Sequence, residues 1–226
     1  MEFGKIYHIY NHANGFELLF EDNYFYEVFI MKLDKHILPY AEVLAFCFIP
    51  NHFHLVLRIR SEQEIVEYLR LIHMSKSLSY KKAAIPLRLL QLKDPEKFFR
   101  RRFSDLFNSF TRHTNLVRKR KGSLFIKSYK FKLVDTHLYL KYLIYYVHLN
   151  PVKHGLRKSA RDWQWSSYRS FIWEDFDFVE TAFIIDFFGG IDKFVEYHNR
   201  PYNPVKYYES LDEREADFLA QFKDFQ

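Results

Sequence analysis

Two histidines stand two residues apart in Pro50-Asn51-His52-Phe53-His54-Leu55-Val56-Leu57-Arg58, a run rich in Phe, Leu and Val that reads as a β-strand. Alternate residues of a strand face the same way, so His52 and His54 project together while Phe53, Leu55, Leu57 and Ile59 point to the other side. One face of the strand then packs into a core and the other presents two imidazoles, a bidentate platform for a metal ion. Later in the chain, Tyr145-Tyr146-Val147-His148-Leu149-Asn150-Pro151 closes a run from about residue 136 to 149 that reads as a helix. That helix is expected to stop near Asn150, because a residue before proline avoids the α region. Tyr146 and Asn150 are four residues apart, which sets phenol and amide on one face at the helix end. An amide oxygen there completes a metal site begun by the histidines and leaves the phenol beside the ion. A lone His-x-His is more often a hydrogen-bonded pair than a ligand pair, and it is the second stretch that favours the ligand reading.

The segments IPNHFHLVLR, YVHLNPVKHGL and DWQWSSY, in this order, with the opening YHIYNHANG and the GSLF at residues 122–125, resemble the single-tyrosine HUH transposases. Within that group they look most like the REP-associated tyrosine transposases, over roughly residues 5–170. The resemblance implies a metal-dependent nuclease and strand transferase that acts on single-stranded DNA through a covalent 5′-phosphotyrosine. By the family pattern Tyr146 is the nucleophile and His52, His54 and Asn150 are the metal ligands, Asn150 standing where relatives differ. Mg2+ or Mn2+ is the implied cofactor, although the ligand chemistry alone also admits zinc. The implied substrate is a DNA hairpin with a flanking single strand. Relatives act as homodimers or as monomers, so both remain open. Four tyrosines, at 139, 142, 145 and 146, crowd the helix, and periodicity does not choose among them; the family pattern does. Two rival readings are a transposase-derived protein that binds DNA hairpins without turnover and a metal-dependent hydrolase in which water attacks.

The 226 residues are 48% hydrophobic, with 25 Phe, 17 Tyr and only 6 Gly, ample for a core and unlike a disordered chain. Net charge is +6, and its distribution is uneven. Residues 95–132 hold twelve Lys or Arg against two acids, whereas residues 209–226 hold two against six. Such runs are usually solvated faces, but Arg118, Lys119, Arg120, Lys121, Lys127, Lys130 and Lys132 lie close in sequence to the tyrosine helix and suit a role in tracking a phosphate backbone. A single cysteine, Cys47, excludes an internal disulfide and a cysteine-based zinc site. No stretch is apolar enough to span a membrane, and the N-terminus has no apolar signal core, which points to a cytoplasmic or nucleoid-associated protein.

The elements that must hold these groups follow from local pattern. Residues 5–10 read as a strand closed by a turn at Asn11–Gly15, with His8 and His12 as structural residues. Asp22 caps a helix that runs to Pro39, residues 42–49 form a strand, and Pro50-Asn51 breaks it before the histidine strand. Ser61 and Glu64 have capping-box spacing for a second helix, whose lysines and serines at 75–82 suit either phosphate or the helix dipole. Residues 83–103 fit no period and look like an insertion. A third helix is expected from Ser104 to Gly122, then a strand over 123–134. Trp163 and Trp165 suit either packing or stacking on a base, and residues 180–188 and 191–198 read as short helices. The expected fold is α+β, a ferredoxin-like antiparallel sheet covered by helices, with a catalytic domain over 1–155 and a C-terminal helical extension over 156–226.

Overall fold

The computed structural model describes residues 1–75, 94–126 and 128–200. Strands β1 (Ile6–His12), β2 (Ala41–Ile49), β3 (His52–Ile59) and β4 (Lys130–Val134) form one antiparallel sheet in the order β2-β3-β1-β4. Helix α1 (Asn23–His36) links β1 to β2. Helices α2 (Glu62–Ser75) and α3 (Pro95–Val117) lie between β3 and β4 in the chain, and α4 (His137–Lys153) follows β4. This is the α+β, ferredoxin-like arrangement expected from the sequence. Three further helices, α5 (Tyr168–Trp173), α6 (Thr181–Phe188) and α7 (Ile191–His198), complete the described chain.

The helix starts follow local chemistry. Asp22 accepts from the Tyr24 amide at 2.9 Å, Asp94 from Lys97 at 2.9 Å, and Thr136 from Tyr139 at 3.1 Å. Ser61 and Glu64 form the reciprocal capping box, at 2.6 and 3.2 Å.

Register sorts the sheet into two faces. His12 pairs with His52, Tyr10 with His54, and Lys130 and Lys132 with Tyr10 and His8. Paired residues share a face, so His8, Tyr10, His12, His52, His54, Lys130 and Lys132 lie on one side. The other side carries Phe48, Phe53, Leu55 and Leu57 against α1 and α3, where Phe29 meets Phe48 and Phe53, both at 5.2 Å between ring centres, and Phe107 meets Phe53 at 5.6 Å.

Several expectations are corrected. Helix α3 begins at Pro95, not Ser104, because Phe99 and Phe103 extend the buried stripe of Leu106, Phe107, Phe110 and Thr114 one turn after another; residues 95–103 are therefore core-bearing helix. It ends at Val117, ahead of Gly122. Pro50-Asn51 is a reversal between two paired strands, not a break within one. The strand expected over 123–134 is divided: Phe125 bridges Ala13, and regular pairing resumes at Lys130 after Ser128, whose φ of 65° interrupts extension. Helix α4 continues through Pro151 to Lys153. The preference of a pre-proline residue for extended backbone is outweighed by the burial of both Asn150 and Pro151, and the His154 amide closes the helix on the Asn150 carbonyl at 3.1 Å. The phosphate-holding role considered for residues 76–82 falls outside the described residues.

The chain beyond α4 lies along the outer edge of β2. Phe48 donates to the Trp165 carbonyl at 2.9 Å, Ser167 to Phe46 at 3.0 Å and Glu180 to Val43 at 2.8 Å. Both tryptophans pack: Trp163 donates its indole N–H to the Phe48 carbonyl at 2.8 Å, and Trp165 stacks on Tyr26 at 4.6 Å. Helix α4 is thus enclosed on several sides, with Tyr139, Leu140 and every residue from Tyr142 to Pro151 buried.

A buried polar chain ties α7 to α4 and β2. His198 Nδ1 faces the Phe194 carbonyl at 2.8 Å and must donate to it. His198 Nε2 then accepts from His148 Nδ1 at 2.9 Å, and His148 Nε2 accepts from the Ser167 hydroxyl at 2.8 Å. Ser167 Oγ in turn receives the Phe46 amide at 2.7 Å. Two neutral rings satisfy this sequence, and burial holds both imidazoles below their ordinary pKa. Burial pushes His198 down to about 4, while an unfolded imidazole titrates near 6.5. Between these values the unfolded chain binds the extra proton, so the stability from this group is complete above about pH 6.5 and falls by about 1.4 kcal/mol per pH unit toward pH 4. His198→Gln should accordingly flatten the pH dependence of stability by about one proton in that window, read from urea unfolding at successive pH values. A slope equal to that of the parent would refute the neutral relay.

Candidate functional site

Strand β3 places His52 and His54 on the sheet face that α4 covers, and α4 lowers Asn150 between them. Asn150 Oδ1 lies 3.0 Å from His52 Nε2, and Asn150 Nδ2 lies 3.2 Å from His54 Nε2. The Tyr146 ring stands perpendicular to the His54 ring at 5.5 Å between centres. The structure therefore brings together all four residues singled out in the two sequence stretches. His52, His54 and Tyr146 line, with Tyr10, His12, Lys130, Lys153 and His154 among others, one pocket, while Asn150 is fully buried.

Two partners of the histidines come from β1, which sequence spacing left as structural residues. His8 Nε2 meets His54 Nδ1 at 2.9 Å, and the His12 ring stacks on His52 at 5.3 Å. Both contacts depend on β1 lying beside β3 with His12 opposite His52, a long-range register that no local pattern encodes. His154, just past α4, adds an edge contact to the His52 ring at 4.8 Å. His148, by contrast, points away from Tyr146 into the Ser167–His148–His198 relay. That relay has the connectivity of a nucleophile, a base and an orienting group, but all three side chains are buried, so no substrate reaches them.

Proton counting describes what the site can hold. Asn150 Nδ2 donates to His54 Nε2, so the His54 proton sits on Nδ1 and is given to His8. His52 Nδ1 faces the Asn51 side-chain oxygen at 3.0 Å and must donate to it. A neutral His52 then turns a lone pair on Nε2 toward the Asn150 oxygen, which also offers only lone pairs. A second proton on His52 would relieve this, but burial, then the His154 and His12 rings, hold its pKa well below the ordinary imidazole value. Burial, then His8 and His52, do the same for His54. The result is a His52 nitrogen and an amide oxygen that face each other with unspent lone pairs, beside a His54 nitrogen whose lone pair is taken only by the Asn150 amide N–H, a donor set that fits a cation once that amide turns. No group of three or more His, Cys, Asp or Glu side chains among the described residues is arranged to bind a metal ion. A cation here requires the amide as its third donor.

The basic residues separate into two kinds. Arg118 donates to the Leu18 and Leu19 carbonyls at 2.7 and 3.2 Å, lies 3.9 Å over the Phe25 ring and pairs with Glu21 at 3.2 Å. Arg120 holds Asn115, Glu17 and the Ser123 carbonyl. These two guanidinium groups fasten the 13–20 loop, a structural role beside the phosphate contact expected from the sequence. Lys119, Lys121 and Lys130 are exposed, Lys132 is half-buried with its ammonium 5.6 Å over the Tyr139 ring, and Lys127 lies outside the described residues. Removing Arg118 as Arg118→Ala should cost about 2 kcal/mol, since two carbonyls lose a charged donor. Lys119→Ala and Lys121→Ala should each stay within about 0.5 kcal/mol of the parent. Urea midpoints of the three variants check this ordering.

No family model and no curated protein sequence matches the chain. Among solved structures it is similar to a REP-associated tyrosine transposase bound to a REP hairpin, with a TM-score of 0.51 over 76% of this chain and 81% of that one, at 14% sequence identity. At this identity the likeness is one of fold.

Proposed function

We propose that this chain is a DNA nickase and strand transferase, acting on single-stranded DNA next to a hairpin through a 5′-phosphotyrosine on Tyr146. The observation that carries the proposal is the meeting of His52 Nε2, His54 Nε2 and the buried Asn150 carboxamide beside the Tyr146 ring, at the pocket that the two histidines and Tyr146 line. The shared fold with a transposase crystallised on a REP hairpin supports it.

Magnesium or manganese would be held by those two nitrogens and that oxygen, and when bound supplies a positive charge that polarises the scissile phosphate and stabilises the departing oxygen. Tyr146 supplies the nucleophile. Its phenol loses a proton, a bond forms from the phenolic oxygen to phosphorus, and the bond from phosphorus to the 3′ oxygen breaks, that oxygen leaving as a hydroxyl once protonated. One phosphodiester replaces another, so a new 3′ hydroxyl can reverse the step without a nucleoside triphosphate. His8 orients the His54 ring, and Asn51 does so for His52, by fixing which nitrogen carries the proton. Lys130 lines the pocket, and the exposed Lys119 and Lys121 are further candidates for contact with a DNA backbone. Among the described residues no helix is long and apolar enough to cross a membrane.

Labelled single-stranded DNA bearing a hairpin, incubated with the protein and Mn2+ and run on a denaturing gel, should give a covalent adduct that Tyr146→Phe abolishes. Cleavage without adduct would identify a hydrolase, and retarded DNA with neither would identify a hairpin-binding protein. His8→Phe should weaken Mn2+ binding about 10- to 100-fold by calorimetry, because the His54 ring loses its orienting partner. Unchanged affinity would remove His8 from the site.

A further inference from the structure

Tyr146, Asn150 and Lys153 recur at i, i+4 and i+7, so they form one stripe along α4. The first two meet the histidines. Lys153, in the last turn, lines the same pocket with its Nζ 5.5 Å from the centre of the Tyr146 ring. The side chain is partly buried, and burial lowers the pKa of its ammonium. Among the described residues it has no hydrogen bond and no carboxylate partner; it lies against that ring and near the His52, His54 and His154 imidazoles, on which its charge acts. The arginines Arg58, Arg60, Arg118, Arg120 and Arg169 each hold a carboxylate, whereas Lys132 and Lys141, like Lys153, lie over aromatic rings, and of these three Lys153 alone lines the pocket.

A partly desolvated ammonium needs more compensation than one aromatic face supplies. Among the described residues no aspartate or glutamate lines the pocket to provide it, while Lys130 adds to its positive character. Such a cavity is completed by an anion from outside, and the position of the charge over the phenol ring says where that anion sits.

We propose that Lys153 Nζ holds a non-bridging oxygen of the DNA phosphodiester that Tyr146 attacks, an inference that rests on the nicking reading above. A single point charge on the last helical turn would draw the phosphate onto the stripe that bears the nucleophile and set its phosphorus toward the phenolic oxygen.

The test uses the Tyr146→Phe protein, which binds without forming an adduct, and a labelled DNA hairpin with a single-stranded tail. Affinity is measured over a series of KCl concentrations and compared with that of Tyr146→Phe carrying also Lys153→Met or Lys153→Arg. Methionine keeps the apolar stem without the charge. The slope of log affinity against log salt should fall by about 0.7–0.9 with Lys153→Met and return with Lys153→Arg. With Tyr146 intact, Lys153→Met should slow adduct formation about 100-fold, and Lys153→Arg less. An unchanged salt slope, or adduct formation at the parent rate, overturns the inference. Should the parent chain form no adduct while Lys153 still sets the slope, the nicking reading fails and the phosphate contact is supported.

Discussion

Everything in the site depends on the rotational setting of α4. His148 and Asn150 are two residues apart on this helix, about 200° around its axis, so they face opposite ways. Asn150 is held by the two histidines of β3, and His148 by Ser167 and His198. The helix is buried nearly all round, and apolar packing alone would tolerate some rotation within such an envelope. Two polar clamps on opposite faces do not, because any turn of α4 breaks one of them and leaves a buried donor or acceptor unmatched. The segment beyond α4 is thereby part of the machinery that aims Tyr146.

The buried imidazoles fall into two groups that burial alone does not distinguish. In the relay, every nitrogen has a complementary neighbour once both rings are neutral, and no lone pair is left over. Around Asn150 the same accounting leaves lone pairs of His52 Nε2 and the amide oxygen facing each other across 3.0 Å. Both groups are held neutral by desolvation, which serves structure in the relay and, on the reading proposed above, coordination in the site. The distinction between a core histidine and a ligand is thus a matter of unspent donor capacity.

Short-range features were readable before the fold was known. The alternation around His52 and His54, the caps at Asp22 and Ser61, the i, i+4 spacing of Tyr146 and Asn150 and the two short helices after residue 180 all depend on neighbours within a turn or a pleat. What escaped depends on distant partners. His8 and His12 reach the histidines only through the pairing of β1 with β3. The structural role of Arg118 and Arg120 was hidden because their partners, Leu18, Leu19, Glu17 and Glu21, lie about a hundred residues earlier. The start of α3 was obscured by Arg100-Arg101-Arg102, whose charges interrupt the apparent pattern although Phe99 and Phe103 continue the buried face. Pro151 was taken as a stop because local preference was weighed without the burial that overrides it.

The two edges of the sheet are treated unequally, and this has a consequence for access. The β2 edge is covered by backbone hydrogen bonds to residues 165–180, so it offers no row of unpaired amides. The opposite edge is β4, short, interrupted at Ser128, and bearing Lys130 and Lys132 on the histidine face. Ser128 and Lys130 also line the pocket. An extended anionic chain entering from the β4 side meets lysines first, then the pocket, and then the stripe of Lys153, Asn150 and Tyr146. An approach from the β2 side meets a closed wall. The polarity of the sheet therefore assigns a direction to any strand that reaches the phenol, and it does so through the same C-terminal segment that fixes α4.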